Sequence, residues 1–92
     1  MTKATWTDAS SYRRGDTVRT PTAWKLGAHP HELCVHRSIH QEGWFLTCFP
    51  LGLESLPLQD PDAEDAKARA VTLAGMRLAH LVKVYAELGV KP

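Results

Sequence analysis

The side chains with the greatest potential for chemistry are histidines and cysteines in the middle of the chain. Four of the five histidines lie between His29 and His40, and Cys34 and Cys48 lie within and just after that segment. Cysteine and histidine are the side chains with which proteins most often bind zinc. Their spacing matches no standard zinc finger, so we expect no metal and no cofactor. If a site does form, its ligands would be Cys34, His36 and Cys48.

Neither cysteine has the sequence surroundings of a catalytic nucleophile. No cluster of basic residues and no predicted helix N-terminus flanks Cys34 or Cys48 to activate a thiol. Glu64 and Asp65 are neighbours in a predicted helix, where adjacent side chains point about 100° apart, so they do not form a catalytic pair of carboxylates. The sequence also lacks a glycine-rich phosphate loop. We therefore expect a protein that is not an enzyme.

A long acidic segment dominates the charge pattern. Residues 42–66 contain six acidic residues and no lysine or arginine. Residues 1–41 carry six basic residues against three acidic ones, and residues 67–92 carry five against one. Such segregation predicts an acidic face and a basic face, which govern the choice of partner. The candidate partner-binding residues are the six acids and one aromatic residue: Glu42, Glu54, Asp60, Asp62, Glu64, Asp65 and Trp44.

Size and composition predict one globular domain over residues 1–92. The chain is 43% hydrophobic and its formal net charge is +1, which is typical of a folded protein. It has no apolar run long enough to cross a membrane, and no hydrophobic stretch follows Lys3, so we expect no signal peptide. Two cysteines are too few for a secreted disulfide framework. These features predict a cytoplasmic protein, with residues 1–15 as an arm or a loop.

Two segments with strand character predict a β-hairpin over residues 33–49. Residues 33–39 alternate between apolar and polar side chains, and residues 44–49 are rich in aromatic residues. Gly43 ends the connection, and glycine suits the left-handed position that closes a three-residue hairpin loop. The leucine- and proline-rich residues 50–61 then predict an irregular edge strand or a packed loop.

The length of the hairpin loop decides which side chains share a face. A three-residue loop pairs His36 with Cys48 and Val35 with Phe49, and leaves Trp44 on the face opposite Val35, where we expect it to be exposed. A four-residue loop would shift the pairing by one residue and move Trp44 to the face of Val35. We prefer the three-residue loop because it uses the glycine at its end.

A helix is predicted over residues 61–88. Asp60 can cap its N-terminus, Pro61 suits the first turn, and Gly89 ends it. Together with the hairpin, this helix predicts an α+β fold in which an antiparallel sheet of two to four strands packs against one long C-terminal helix. The apolar residues that fall on one helical face, and that we expect the sheet to bury, are Ala70, Val71, Ala74, Leu78, Leu81, Val82, Tyr85 and Leu88.

The N-terminal segment supports a second interpretation. Its basic residues are interleaved with Tyr12 and Trp24, a pattern that suits nucleic-acid binding. Residues 16–26 are expected to hold one short strand. Whether residues 1–28 cover the second face of the sheet, or leave it exposed to bind another protein, stays open. The basic residues of this arm are Arg13, Arg14, Arg19 and Lys25.

Three features carry a resemblance: the size of the chain, the run Gly43-Trp44-Phe45-Leu46-Thr47 before a leucine–proline turn, and an alanine-rich closing helix. In these the chain resembles the small proteins of phages and other mobile elements, including anti-CRISPR inhibitors, some of which are acidic mimics of DNA. The resemblance implies a non-enzymatic inhibitor, which we expect to be a monomer, that binds a larger host protein or a subunit of a CRISPR effector complex through the acidic residues.

A different family supports the alternative function. A sheet packed on a C-terminal helix also resembles the arm-binding domains of phage integrases, which read DNA with the sheet. That resemblance implies a small DNA-binding accessory protein of a mobile element, acting through the basic N-terminal arm.

Overall fold

Five antiparallel strands and one long helix form the part of the chain that this computed structural model describes, namely residues 5–10, 21–38 and 41–91. The strands follow one another in the sheet in sequence order. The predicted α+β class with one C-terminal helix is confirmed, but the sheet has five strands and not two to four. The elements are β1 (Trp6–Asp8), β2 (Ala23–Ala28), β3 (His31–Arg37), β4 (Trp44–Cys48), a 3₁₀ turn (Phe49–Leu51), β5 (Leu53–Leu58) and α1 (Ala63–Glu87).

The strand that the sequence analysis missed is β1, in a segment expected to be an arm or a loop. Trp6 of β1 pairs with Leu26 of β2. The Ser10 hydroxyl accepts hydrogen bonds from the backbone amides of Thr22, at 2.7 Å, and Ala23, at 3.0 Å, and so closes this end of the strand pair. The described part of the N-terminal segment therefore extends the sheet at its edge.

The register of the β3–β4 pair differs from the predicted one. β3 ends at Arg37 and β4 begins at Trp44, so the predicted three-residue loop is wrong, and so is the pairing of His36 with Cys48. Gly43 does adopt a positive φ of 100°, as its place in the sequence predicted. The observed partners are Cys34 and Thr47, Val35 and Leu46, His36 and Phe45, and Arg37 and Trp44.

Burial of large apolar side chains explains this register. Val35, Trp44 and Leu46 lie on one face of the sheet, and each is at most 4% exposed. The expected exposure of Trp44 is therefore wrong. Trp44 lies on the same face as Val35, which is the arrangement that a four-residue loop would also have produced. The core under α1 also includes Leu58, Ala66 and Ala70, with Trp6, Trp24, Leu33, Leu53, Leu56, Ala63 and Leu73 packed around it.

The helix begins at Ala63, two residues later than predicted. Its N-cap is Asp62 and not Asp60, because the Asp62 carboxylate accepts hydrogen bonds from the amides of Glu64, at 3.1 Å, and Asp65, at 3.2 Å. At the other end Gly89 has a φ of 90°. The amides of Gly89 and Val90 donate to carbonyls of the last helical turn, which is a Schellman cap. The predicted stop at Gly89 is confirmed.

Only the first half of α1 is buried by the sheet. Its buried residues are Ala66, Lys67, Ala70 and Ala74, which confirms the predicted burial of Ala70 and Ala74. The predicted burial of Leu78 is wrong, since it is 53% exposed. The other helical residues expected to be buried are half-buried, in the case of Leu81, or exposed: Val71, Val82, Tyr85 and Leu88.

The second half of α1 is exposed because the helix is longer than the sheet. Its 25 residues extend about 37 Å at 1.5 Å per residue. No described strand has more than seven residues, or about 23 Å, and five strands side by side span roughly 20 Å. The helix is therefore longer than the sheet, whichever way it lies across it, and its second half projects beyond the sheet. No helix in the described ranges is long and apolar enough to span a membrane.

Candidate functional site

The fold brings acidic residues from two separate segments to one end of the sheet. Trp44, the first residue of β4, pairs with Leu58, the last of β5. Glu42 precedes the first of these strands and Asp60 follows the second, and both line one surface depression. The first turn of α1 follows directly. We call these five residues the acidic end: Glu42, Asp60, Asp62, Glu64 and Asp65.

Three carboxylates of the acidic end have partners inside the molecule. Asp60 accepts a hydrogen bond from the Arg69 guanidinium, and this bond raises the pKa of Arg69 above its ordinary value. Glu64 lies 2.9 Å from the ammonium of Lys67, and Asp62 caps the helix. Among the described residues, Glu42 and Asp65 have no ion pair or side-chain hydrogen bond, and both are exposed. These two charges are the ones available to a partner.

Glu54 lies away from the acidic end. It is the second residue of β5, next to Leu53, which pairs with Cys48 at the far end of β4. Glu54 lies four positions before Leu58, which is about 13 Å along a strand. The structure thus gathers five of the six predicted acidic residues and leaves Glu54, exposed, at the opposite end of the sheet.

Trp44 contributes to this end as a support and not as a contact surface. It is only 4% exposed, and the guanidinium of Arg37 lies 5.3 Å from the centre of its ring. Arg37 is exposed and lines the same depression as Glu42, so one positive charge sits at the rim of the acidic end. The sequence analysis missed Arg37 because only the observed register places it opposite Trp44.

The cysteines and histidines that the structure describes do not converge on a metal-binding arrangement. His36 Nε2 lies 2.8 Å from the Thr47 hydroxyl, and its ring stacks on Phe45 with the ring centres 6.2 Å apart. Burial raises the pKa of the Cys34 thiol, a shift that the nearby Lys25 opposes. Within the described ranges no three histidine, cysteine, aspartate or glutamate side chains are grouped so as to hold a metal ion.

A buried lysine joins α1 to the N-terminal edge of the sheet. The Lys67 ammonium lies 3.6 Å from the centre of the Trp24 ring and 5.9 Å from that of Trp6. The residue is 6% exposed. Sequence reasoning missed this contact, although a signal exists: Lys67 lies three and seven residues before Ala70 and Ala74, on the face that the sheet buries.

Most of the predicted basic arm lies outside the residues that the structure describes. Arg13, Arg14 and Arg19 lie outside the described residues. Lys25, within β2, forms an ion pair with Glu32 at 3.4 Å. Trp24 packs against the core and Lys67.

Comparison of the chain with protein-family models, with curated proteins and with solved structures gave no match.

Proposed function

We propose that this protein is a non-enzymatic inhibitor that binds a larger partner through its acidic end. The single observation behind the proposal is that Glu42, from the β3–β4 connection, lines the same depression as Asp60, next to the first turn of α1. Residues far apart in the sequence thereby form one surface. An extended loop of acids would have no such shared position.

The acidic end has the rigidity that recognition of a basic partner requires. Glu42 leads directly into β4, whose residues are mostly buried. Asp65 stands in a helical turn that Asp62 caps with two hydrogen bonds. Charges on a fixed support lose little freedom on binding, and they speed the encounter with a surface of opposite charge.

The partner that we propose is a nucleic-acid-guided effector complex in the cytoplasm of a bacterial host. Such complexes hold nucleic acid in positively charged channels, and carboxylates on a small rigid domain could occupy part of that channel. This specific form of the proposal, an anti-CRISPR protein, is supported by the resemblance described above and by the position of Glu42 and Asp65.

Plasmid interference tests the proposal. Cells that carry one of a panel of CRISPR systems and clear a targeted plasmid would express the protein, and plasmid retention would be counted. We expect wild-type protein to restore retention against at least one system. If each change removes roughly 1 kcal/mol of binding free energy, Glu42→Lys alone should weaken this effect about fivefold, and Glu42→Lys with Asp65→Asn about 30-fold.

The matched control is Glu54→Lys, which makes the same charge reversal on an exposed residue at the other end of the sheet. It should inhibit as well as wild type. Equal inhibition by the Glu42 variants and wild type would refute the acidic end as the binding surface. Inhibition of no system in the panel would refute the guided complex as the partner. Thermal unfolding of each variant checks that any loss of inhibition is not a loss of folding.

A further inference from the structure

The second half of α1 carries an apolar face that no described part of the same chain covers in full. Four residues of this face are exposed, namely Leu78 at 53%, Val82 at 55%, Tyr85 at 51% and, at the C-cap of the helix, Leu88 at 71%. The fifth, Leu81, is half-buried. Their spacing of three and four residues places them on one helical face. We call these five residues the C-terminal stripe.

The C-terminal stripe continues the face that the sheet buries. Leu78 lies one helical turn after Ala74, which is 7% exposed, and the helix then runs on beyond the sheet. Three charged or titratable residues of this half, His80, Lys83 and Glu87, lie about 120° to 180° around the helix from the stripe. Arg77 lies one helical turn before Leu81, at the edge of the stripe. An apolar strip without charges at its centre has the composition of the core of a protein interface.

A preformed groove lies beside the stripe. Pro50 and Leu51 of the 3₁₀ turn and Val90 after the helix complete its apolar walls. Arg77 donates a hydrogen bond to the Leu51 carbonyl at 2.9 Å, which fixes the turn against the helix. The apolar surface therefore includes the turn as well as the helix.

We propose that a second copy of this chain covers the C-terminal stripe, with the two projecting helix halves packed antiparallel. The exposed side chains of the stripe and the turn amount to roughly 600 Å² per copy, and burying them on both copies reaches the approximately 1,200 Å² at which specific interfaces begin. The sequence analysis expected a monomer. The exposed stripe is the reason for proposing a dimer.

The sheet selects one antiparallel register. Knobs-into-holes packing of two antiparallel helices favours either Leu78 opposite Leu81, or Leu78 opposite Leu88 with Leu81 opposite Tyr85. The first would bring Tyr85 of one copy onto Ala74 of the other, but Ala74 is already buried by its own sheet. The second uses only residues of the stripe. Each copy then presents the same residues to the other, so the contact is two-fold symmetric.

Sedimentation velocity over about 1–300 µM tests the dimer, since an interface of this size commonly gives micromolar affinity. We expect wild-type protein to shift from monomer to dimer within this range. Val82→Glu should raise the dimer dissociation constant at least about 30-fold, because each copy would bury an unpaired carboxylate. Tyr85→Lys is a second disrupting variant in case the first does not fold. Far-ultraviolet circular dichroism at low concentration checks folding.

The matched control is Met76→Glu. Met76 is 64% exposed and lies about 120° around the helix from Val82, so this variant should dimerise like wild type. A wild-type chain that stays monomeric throughout would overturn the proposal. So would a dimer that Val82→Glu leaves intact, or one that Met76→Glu weakens equally. A monomer that binds another protein through Val82 would assign the stripe to that partner and reject the second copy. None of these results depends on the acidic end.

Discussion

The contact between Lys67 and the two tryptophans offers the sharpest test of how this small fold is held together. The Lys67 ammonium lies 3.6 Å from the Trp24 ring centre and 5.9 Å from that of Trp6. The side chain is 8% exposed, whereas that of its ion-pair partner Glu64 is 78% exposed. The lysine therefore connects the first turns of α1 to β1 and β2 mainly through the aromatic rings.

Replacing Lys67 with methionine separates charge from packing. Methionine keeps an unbranched apolar chain of similar length but removes the ammonium. The lost cation–π attraction is about 2 kcal/mol in a desolvated position, and the lost pair with exposed Glu64 is about 0–1 kcal/mol. Relief of the partial desolvation of the ammonium offsets part of this. We expect Lys67→Met to lower the free energy of unfolding by about 1–2 kcal/mol, and Lys67→Ala by about 3–5 kcal/mol because a cavity is added.

Urea unfolding at a fixed, low protein concentration measures both values. Tryptophan fluorescence is a suitable signal since Trp6 and Trp24 are the rings in contact. A double-mutant cycle of Lys67→Met with Trp24→Leu should give a coupling free energy near 1 kcal/mol. The control is Lys83→Met, on the exposed part of α1, which should change stability by less than about 0.5 kcal/mol.

The sign of the change in unfolding free energy on Lys67→Met shows whether the ammonium stabilises the fold. If this variant is as stable as wild type or more stable, the ammonium contributes no net attraction, and the side chain serves only to fill space. A coupling free energy near zero in the cycle would lead to the same conclusion.

Two further predictions follow from burial. Leu46→Ala should lower the free energy of unfolding by about 2–5 kcal/mol because its side chain is fully buried. Leu78→Ala should lower it by less than about 1 kcal/mol, at a protein concentration where the chain is monomeric. Equal losses in urea unfolding would contradict the observed packing. Because burial raises the pKa of Cys34, its thiolate should form, and iodoacetamide should react, only at a higher pH than with an unfolded cysteine. A folded-state pKa above the unfolded one also means that this group's stabilising contribution is present at neutral pH and falls as the pH rises through the folded-state pKa. A labelling profile identical in folded and urea-unfolded protein would contradict the role of burial.

Local signals predicted the C-terminal helix and the strands β3 and β4, but not β1. The stop at Gly89 and the positive φ of Gly43 depend on residues within a few positions of one another. So does the helix itself, because backbone hydrogen bonds and caps join near neighbours. The edge strand after residue 50 was one of the two alternatives that its leucines and prolines allowed. The acidic segment was likewise visible from composition, and five of its six residues do lie at one end of the sheet.

Register, burial and the extent of the sheet depended on the whole tertiary structure. Trp44 is buried because Val35 and Leu46 occupy the same face, a choice between loop lengths that the hairpin sequence leaves open. Glu54 lies apart from the acidic end because β5 runs the length of the sheet. The stripe of α1 is exposed because the helix is longer than any dimension of the sheet that it packs on. In each case a one-dimensional pattern specified which side chains are apolar or charged, while the distances between distant segments decided which of them meet.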